Sequence, residues 1–120
     1  MNLFNDAKEP FFIAEVSSNH SQNLERCIEF VNISAEIGCD AVKFQFFRVD
    51  DLFSKEAINA NPDILKRKNW ELPMEFVKSI SDAAKKNKIY FGISPFSIDS
   101  VQKLNPYVDF FKIASYELLW

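Results

Sequence analysis

The stretch DAVKFQFF, residues 40–47, decides the fold because it is an apolar run of strand length with a lysine near its centre. Successive side chains of a strand point to opposite faces, so Lys43 and Gln45 share one face with Ala41. The opposite face is apolar throughout: Val42, Phe44 and Phe46. The apolar face suits packing against helices, whereas the face with the lysine requires a different environment.

Apolar runs of this kind alternate with helical patterns along the whole chain. The predicted strands are four: residues 11–16, 40–46, 89–94 and 108–115. The predicted helices are three: one between an Asn23 cap and Gly38, one over residues 72–88 with Pro73 in its first turn, and one over residues 97–106. Residues 47–70 predict a long irregular connection, and this length indicates a functional loop. The β-α-β-α-β-α-β order predicts an α/β fold with a parallel sheet covered by helices.

The predicted fourth strand, VDFFKIAS, again carries a lysine, Lys112, within an apolar run. A buried lysine without a partner costs several kcal/mol, so both lysines need a compensating group. A closed parallel barrel provides a place for such a group, because its inward residues form a ligand site near the carboxyl ends of the strands. At a separation of ~8 Å and an effective dielectric of ~20, two lysines repel each other by about 2 kcal/mol. Glu15 can partner only one of them well, so the pattern predicts a small, multiply charged anionic ligand such as a phosphate or carboxylate.

Composition excludes several classes of protein. The chain has 120 residues and a net charge of -3, and no helix carries a basic stripe, so nucleic acid is not an expected partner. No apolar stretch approaches the ~18 residues of a membrane span, and the acidic first segment is unlike a signal peptide, so we expect a cytoplasmic protein. The single histidine excludes a multi-histidine metal site built by this chain alone. Cys27 and Cys39 lack metal-type spacing and are predicted to be reduced.

Four motifs, taken together, resemble the sialic acid (N-acetylneuraminate) synthase family. They are AEVSSNH (14–20), DAVKFQ (40–45), ISPF (93–96) and FKIASYE (111–117), in the family's order and at roughly its spacing. The loop NHSQN lacks the glycine that the family usually has there, and Ser94 stands at a family threonine. The resemblance implies that residues 1–120 are one portion, the first half of a (β/α)8 TIM barrel. It also implies that the later half of the barrel and the family's antifreeze-like domain lie outside these residues.

The resemblance also implies an activity. Family enzymes condense phosphoenolpyruvate with an N-acylated amino sugar, N-acetylmannosamine or a relative, to give a nonulosonic acid with release of phosphate. They use a divalent metal, Mn²⁺ or Mg²⁺, whose ligands we expect outside this chain, and the full-length protein is expected to form a homodimer. The 120-residue chain alone is expected to be inactive.

Family roles carry over to individual residues of this sequence. Glu15 is the expected catalytic residue, and Asn19 and His20 are expected at the rim of the site. The expected phosphoenolpyruvate-binding residues are five: Lys43, Gln45, Ser94, Lys112 and Ser115.

Two other functions stay open on the sequence alone. The chain could be a non-catalytic half-barrel that binds an anion or a partner chain. It could also belong to another phosphate-binding TIM-barrel enzyme, such as an aldolase, that shares only the fold.

Overall fold

The computed structural model describes residues 9–119 and contains a four-stranded parallel sheet with helices between the strands. The strands are β1 (Ile13–Ser17), β2 (Ala41–Phe46), β3 (Tyr90–Pro95) and β4 (Phe110–Phe111). The α-helices are α1 (Leu24–Glu36), α2 (Val49–Leu52), α3 (Lys55–Ala60), α4 (Met74–Lys86) and α5 (Ile98–Leu104). The opening segment MNLFNDAK, on which the prediction of no signal peptide depends, lies outside the described residues. Across residues 9–119, no helix combines the length and apolar character needed to cross a bilayer.

The strands follow the chain order β1-β2-β3-β4, with every neighbouring pair parallel. This confirms the predicted βαβαβαβ architecture, in which each crossover carries helix. The outer face of the sheet is the core: Val42, Phe44, Phe91 and Ile93 are at most 1% exposed. Helices α1 and α4 cover that face with buried stripes: Cys27, Val31, Val77, Ile80 and Ala84.

The first helix begins and ends where the sequence predicts. The side chain of Asn23 accepts a hydrogen bond from the backbone N–H of Arg26, which satisfies one of the free donors of the first turn. Gly38 has a φ of 87°, the left-handed conformation that glycine adopts without a steric cost after a helix. Helix α4 begins two residues later than predicted, because Pro73 is its N-cap and not part of its first turn.

The prediction of an irregular connection over residues 47–70 is wrong. Helices α2 and α3 and a 3₁₀ helix, Pro62–Trp70, occupy most of it. A side chain accepts a backbone N–H in the first turn of each. Ser54 Oγ accepts from Ala57 N and Asn61 Oδ1 accepts from Asp63 N, whereas the Val49 N–H at the start of α2 donates to the distant Glu71 carboxylate. Because the elements are four to nine residues long, no extended apolar stripe reveals them in the sequence.

The fourth strand is also shorter than predicted. Only Phe110 and Phe111 are strand, although Lys112 N still donates to the Ile93 carbonyl at 3.1 Å. The chain then leaves the sheet, and Ser115–Glu117 form a single 3₁₀ turn. The predicted strand over residues 108–115 therefore merges a two-residue strand with the turn that follows it.

Candidate active site

The parallel register brings the polar strand residues onto one face, which we call the inner face. Glu15 pairs with Lys43, and Lys43 with Gly92. One inward position further along β2, Gln45 pairs with Ser94. These side chains therefore lie side by side toward the carboxyl ends of the strands, where parallel barrels carry their active sites.

Lys43 is at the centre of this inner face. Its ammonium forms an ion pair with the Glu15 carboxylate and donates a hydrogen bond to Ser94 Oγ at 3.2 Å. The side chain of Lys43 is 12% exposed and that of Glu15 is 41% exposed. The charge of the mostly buried ammonium is thus compensated by a carboxylate that water still reaches.

Lys112 lies one residue beyond β4, but its backbone N–H still donates to the Ile93 carbonyl, so continued alternation assigns it to the same face. Gly92 pairs with Phe110, and Lys112 is the next inward position along the chain. Lys112 is exposed, and none of the carboxylates within residues 9–119 is close enough to form an ion pair with it. The two lysines thus share a face, one compensated and one open. Ser115, also exposed, opens the 3₁₀ turn that follows.

Gly92 makes room for an aromatic ring on this face, a feature that sequence reasoning missed. A Cβ atom at residue 92 would lie 2.2 Å from a ring carbon of Phe110. The ring therefore lies across the glycine, in the row that contains Glu15 and Lys43. A glycine in the middle of a strand is the available sequence signal, because it often marks a close approach by another group.

The loop after β1 is tightly folded, although it has no glycine. Ser17, Ser21 and Gln22 have φ values of 57°, 52° and 50°. Asn19 helps to hold this backbone: its side-chain amide donates to the Val16 carbonyl, and its own carbonyl accepts from Arg26 Nε at 2.7 Å. Asn19 is exposed at the rim, but these bonds tie it to the backbone of the loop.

His20 occupies the rim by sequence position, yet its side chain is 0% exposed. Its Nδ1 accepts from Gln22 N at 2.9 Å, so the neutral ring carries its proton on Nε2. That Nε2 is buried without a hydrogen-bond partner in the described residues, with only a looser contact to the backbone of Trp70. Burial lowers the pKa of His20, and the Trp70 backbone partly opposes this. The ring therefore has a structural position within the loop.

Two sets of hydrogen bonds fix the helical connection above the sheet. The Gln22 side chain donates to the carbonyls of Lys68 and Glu71, at 2.9 and 3.0 Å. On the other side, Arg48 Nη1 donates to the Leu72 carbonyl at 3.1 Å, and its guanidinium lies 4.2 Å from the Phe46 ring centroid. The end of the connection is therefore anchored both to the first loop and to β2.

A cavity of 370 Å³ opens above the inner face. Its lining includes Ser17 and Gln45 from the carboxyl-terminal parts of β1 and β2, Phe96 directly after β3, and Tyr116 in the 3₁₀ turn that follows β4. The helical connection adds further residues, including Arg67 and Trp70. Gln45 lines this cavity and also pairs with Ser94, which accepts the hydrogen bond from Lys43. The cavity therefore adjoins the Lys43 site.

The described residues offer no site for the divalent metal that the resemblance implies. Within residues 9–119, no group of three histidine, cysteine, aspartate or glutamate side chains is arranged to hold a metal ion. Glu15 is already paired with Lys43, and His20 is enclosed by its loop. Both cysteines are free thiols, and burial raises the pKa of Cys27 to about 11.

Comparison with known proteins identifies the family. A model of the NeuB family matches residues 30–120. The chain belongs to the NeuB family. It is 31% identical over 118 residues to the spore coat polysaccharide biosynthesis protein SpsE of Bacillus subtilis, a match covering 90% of the chain and 31% of that protein. It is also 31% identical over 129 residues to a pseudaminic acid synthase of Campylobacter jejuni, covering 95% of the chain and 36% of the synthase.

A solved structure with the same fold is the N-acetylneuraminic acid (sialic acid) synthetase of Leptospira borgpetersenii. The TM-score is 0.81 at 24% identity, and the match covers 92% of this chain and 38% of that one. The NeuB chain thus has the fold of half a barrel. It spans about a third of the length of the curated relatives that it matches.

Proposed function

We propose that the protein carrying this NeuB chain condenses phosphoenolpyruvate with an N-acylated amino sugar and releases inorganic phosphate. The observation that carries the proposal is the compensated Lys43 on the same sheet face as the exposed Lys112. Phosphoenolpyruvate bears a phosphate and a carboxylate, so it offers one anionic group to each lysine. The names of the relatives, synthases of pseudaminic and legionaminic acid, support this class of reaction.

Each inner-face residue has a role in this proposal. Lys43 and Lys112 neutralise the phosphate and the carboxylate, with Ser115 as a further donor. Ser94, whose oxygen accepts from Lys43, has its own O–H left to donate to the ligand. Gln45 lies between this anion site and the cavity above it. When the anion displaces Glu15 from Lys43, the freed carboxylate is available to accept a proton.

The proposed reaction balances without an oxidant or reductant. C3 of phosphoenolpyruvate forms a bond to the aldehyde carbon of the sugar, and the aldehyde oxygen takes up a proton. Water adds to C2 and passes a proton to Glu15. The bond from C2 to the phosphate oxygen then breaks and its electron pair leaves with phosphate, which takes the remaining proton of the added water as C2 becomes a ketone. The proton on Glu15 returns to solvent and replaces the one that the aldehyde oxygen took up. A divalent metal, with ligands outside this chain, would act as a Lewis acid toward the aldehyde.

The lysine assignment is tested by calorimetric titration with phosphoenolpyruvate. Lys43→Ala and Lys112→Ala are each expected to abolish measurable binding, since losing one partner of a close charge pair costs about 2–5 kcal/mol. Lys103→Ala is the matched control, because Lys103 is an exposed lysine of α5 that pairs with Asp99. Unchanged affinity in the Lys43 or Lys112 variant would refute the proposed anion site.

Glu15 is tested by separating binding from turnover. Glu15→Gln removes the proton acceptor and keeps the shape, so phosphoenolpyruvate should still bind while turnover falls by about 10²–10⁴-fold. The assay, made on the whole protein that carries this chain, is phosphate release that requires both phosphoenolpyruvate and an N-acylated hexosamine. Full turnover in this variant would exclude Glu15 as the base, and pyruvate replacing phosphoenolpyruvate would favour the aldolase.

A further inference from the structure

The two strands that carry the lysines share a second feature, an aspartate three residues before each lysine. Asp40 precedes Lys43, and Asp109 precedes Lys112. Three residues of extended chain span about 10 Å, so each aspartate lies at the amino end of its strand while the lysine lies toward the carboxyl end. The aspartates are therefore not the ion-pair partners of these lysines, and the spacing needs another explanation.

Asp40 is bonded twice to one residue of the neighbouring strand segment. Its carboxylate accepts a hydrogen bond from the backbone N–H of Phe12 at 2.8 Å, and its own N–H donates to the Phe12 carbonyl at 2.9 Å. Its carbonyl accepts from Tyr90 N on the opposite side, also at 2.9 Å. We call this two-point contact between an aspartate and one backbone residue an aspartate clamp. The clamp at Asp40 joins the start of β1 to the start of β2.

Asp109 forms a second clamp with the same geometry on a different pair of strands. Its carboxylate accepts from Phe91 N at 2.8 Å, and its N–H donates to the Phe91 carbonyl at 2.8 Å. This clamp joins the start of β4 to β3. The two clamps thus hold β1 and β4, the outer strands of the sheet in the described part of the chain, to their inner neighbours.

The first clamp sets which residue lies beside Lys43. Counting three residues from Phe12 and from Asp40 leads to Glu15 and Lys43, which are register partners and form the ion pair. The register shifts directly afterwards, between Glu15 and Ser17. The pairing of Glu15 with Lys43 is therefore fixed from the amino end of the strands, where the clamp lies.

The second clamp does the same for Lys112. Three residues beyond Phe91 and Asp109 come Ser94 and Lys112, and the backbone bond from Lys112 N to the Ile93 carbonyl shows that the register continues to this point. Because β4 has only two residues, few other ladder bonds hold it in place. Ser94 also accepts from Lys43 at 3.2 Å, so the two registers together bring both lysines to one serine.

We propose that Asp40 and Asp109 are positioning residues of the anion site, because their clamps set the strand registers that bring Lys43 and Lys112 to one ligand. A shift of one residue in either register would turn the inward side chains toward the apolar outer face. Neither aspartate contacts the ligand. The inference rests on the proposed function, since the ligand is phosphoenolpyruvate. Residues at the amino ends of barrel strands commonly serve stability alone, so the test must separate affinity from stability.

Asp109→Ala gives the main measurement, because β4 is the shorter strand. In the whole protein that carries this chain, the variant should raise the calorimetric Kd for phosphoenolpyruvate by about tenfold, since β4 loses one of its few hydrogen bonds to β3. KM for phosphoenolpyruvate should rise with it, while KM for the N-acylated hexosamine stays nearly the same. A variant that is only less stable contains less active enzyme, which lowers kcat and leaves both KM values unchanged. That pattern would overturn the proposal.

Two conservative substitutions separate the position of the acceptor oxygen from its charge. Asp109→Asn and Asp40→Asn keep an oxygen at the same place without the charge, so both should bind phosphoenolpyruvate with nearly wild-type affinity. Asp109→Glu and Asp40→Glu keep the charge but move the oxygens by one methylene, so both should bind about as weakly as the alanine variants. The opposite order, with rescue by glutamate and not by asparagine, would refute the clamp. This comparison decides the question even where an alanine variant does not fold.

Two control variants match the chemistry and the stability of the clamp variants. Asp82→Ala removes an aspartate that pairs with Lys78 on the surface of α4, at 2.6 Å. Ile80→Val weakens the buried core, where Ile80 is 0% exposed, without touching either clamp. Both controls should keep the wild-type affinity for phosphoenolpyruvate. A loss of affinity in Ile80→Val equal to that in Asp109→Ala would show that lower stability explains the effect.

The two proposals fail differently. If phosphoenolpyruvate does not bind to the wild-type protein in calorimetry, the proposed function fails, and this inference fails with it. If phosphoenolpyruvate binds in a Lys43-dependent way while its affinity is unchanged in the alanine variants of Asp40 and Asp109, only the role of the clamps is refuted.

Discussion

The two faces of the sheet are made from the same strands but differ in composition: one is apolar and the other is polar. The outer face is continuous apolar packing, with Phe44 and Phe91 meeting edge-on at 6.1 Å. The inner face carries a carboxylate, two lysines, an amide and a hydroxyl within a few positions of one another. Strand alternation alone separates these two sets of side chains. Along each strand, the outward positions contribute to the stability of the core, and the inward positions between them carry the polar groups of the site. Substitutions on the two faces should therefore have separable effects.

The largest expected loss of stability is on the outer face. Phe44→Ala should lower the free energy of unfolding by about 3–5 kcal/mol, because Phe44 is 0% exposed and its truncation leaves a cavity in the core. The measurement is the midpoint of urea unfolding, with the slope expected to stay constant. Affinity for phosphoenolpyruvate in the folded fraction should be retained.

Phe12→Ala is the matched control, because this phenylalanine is exposed and its truncation should change stability by less than about 0.5 kcal/mol. If Phe44→Ala weakened anion binding as strongly as Lys43→Ala does, the two faces would not be functionally separate.

A smaller loss is expected on the inner face at Gly92. Gly92→Ala places a methyl group where the Phe110 ring lies, so the ring must move, at a cost of about 1–3 kcal/mol. A double-mutant cycle checks the cause: in a Phe110→Ala background the same substitution should cost less than half as much. Equal costs in the two backgrounds would show that the ring is not responsible.

The division of strand residues between the two faces could be predicted from the sequence, because it depends only on the order of neighbouring residues along the strand. Lys43 lies inward because it is two positions from Ala41 and Gln45, and the parallel register carries this face on to Gly92 and Phe110. Lys112 comes two positions after Phe110. Asn23 and Gly38 likewise fix both ends of α1 through their own backbone chemistry. The family motifs mark the same residues, whose roles in binding and catalysis stay predictions.

Features that depend on distant contacts could not be predicted. The acceptor for the first backbone N–H of α2, that of Val49, is the Glu71 carboxylate, 22 positions away. The approach of Phe110 to Gly92 and the enclosure of His20 also arise only when separate segments pack. The early end of β4 could not be predicted either, because the run VDFFKIAS is apolar enough for a longer strand.

A still smaller loss of stability is expected at His20. This substitution tests the loop after β1 at the rim of the site. His20→Ala removes both ring nitrogens and should cost about 1–2 kcal/mol, since Gln22 N loses its acceptor inside the loop. His20→Asn keeps an oxygen near the position of Nδ1 and should recover most of this loss. His20→Gln, which places its amide near Nε2, should not recover it. Equal stability of the Asn and Gln variants would show that the Nδ1 bond does not hold the loop.

The same residue predicts how stability depends on pH. Because burial lowers the pKa of His20 in the folded state, the unfolded chain binds more protons as pH falls through the ordinary value of 6.5. Wild-type stability should therefore decrease on acidification from pH 7 toward pH 5, and His20→Asn should lack this decrease. The chain has only one histidine, so no other imidazole contributes in this range. Urea unfolding at several pH values measures the difference, and a parallel decrease in both proteins would assign the effect to carboxylates instead.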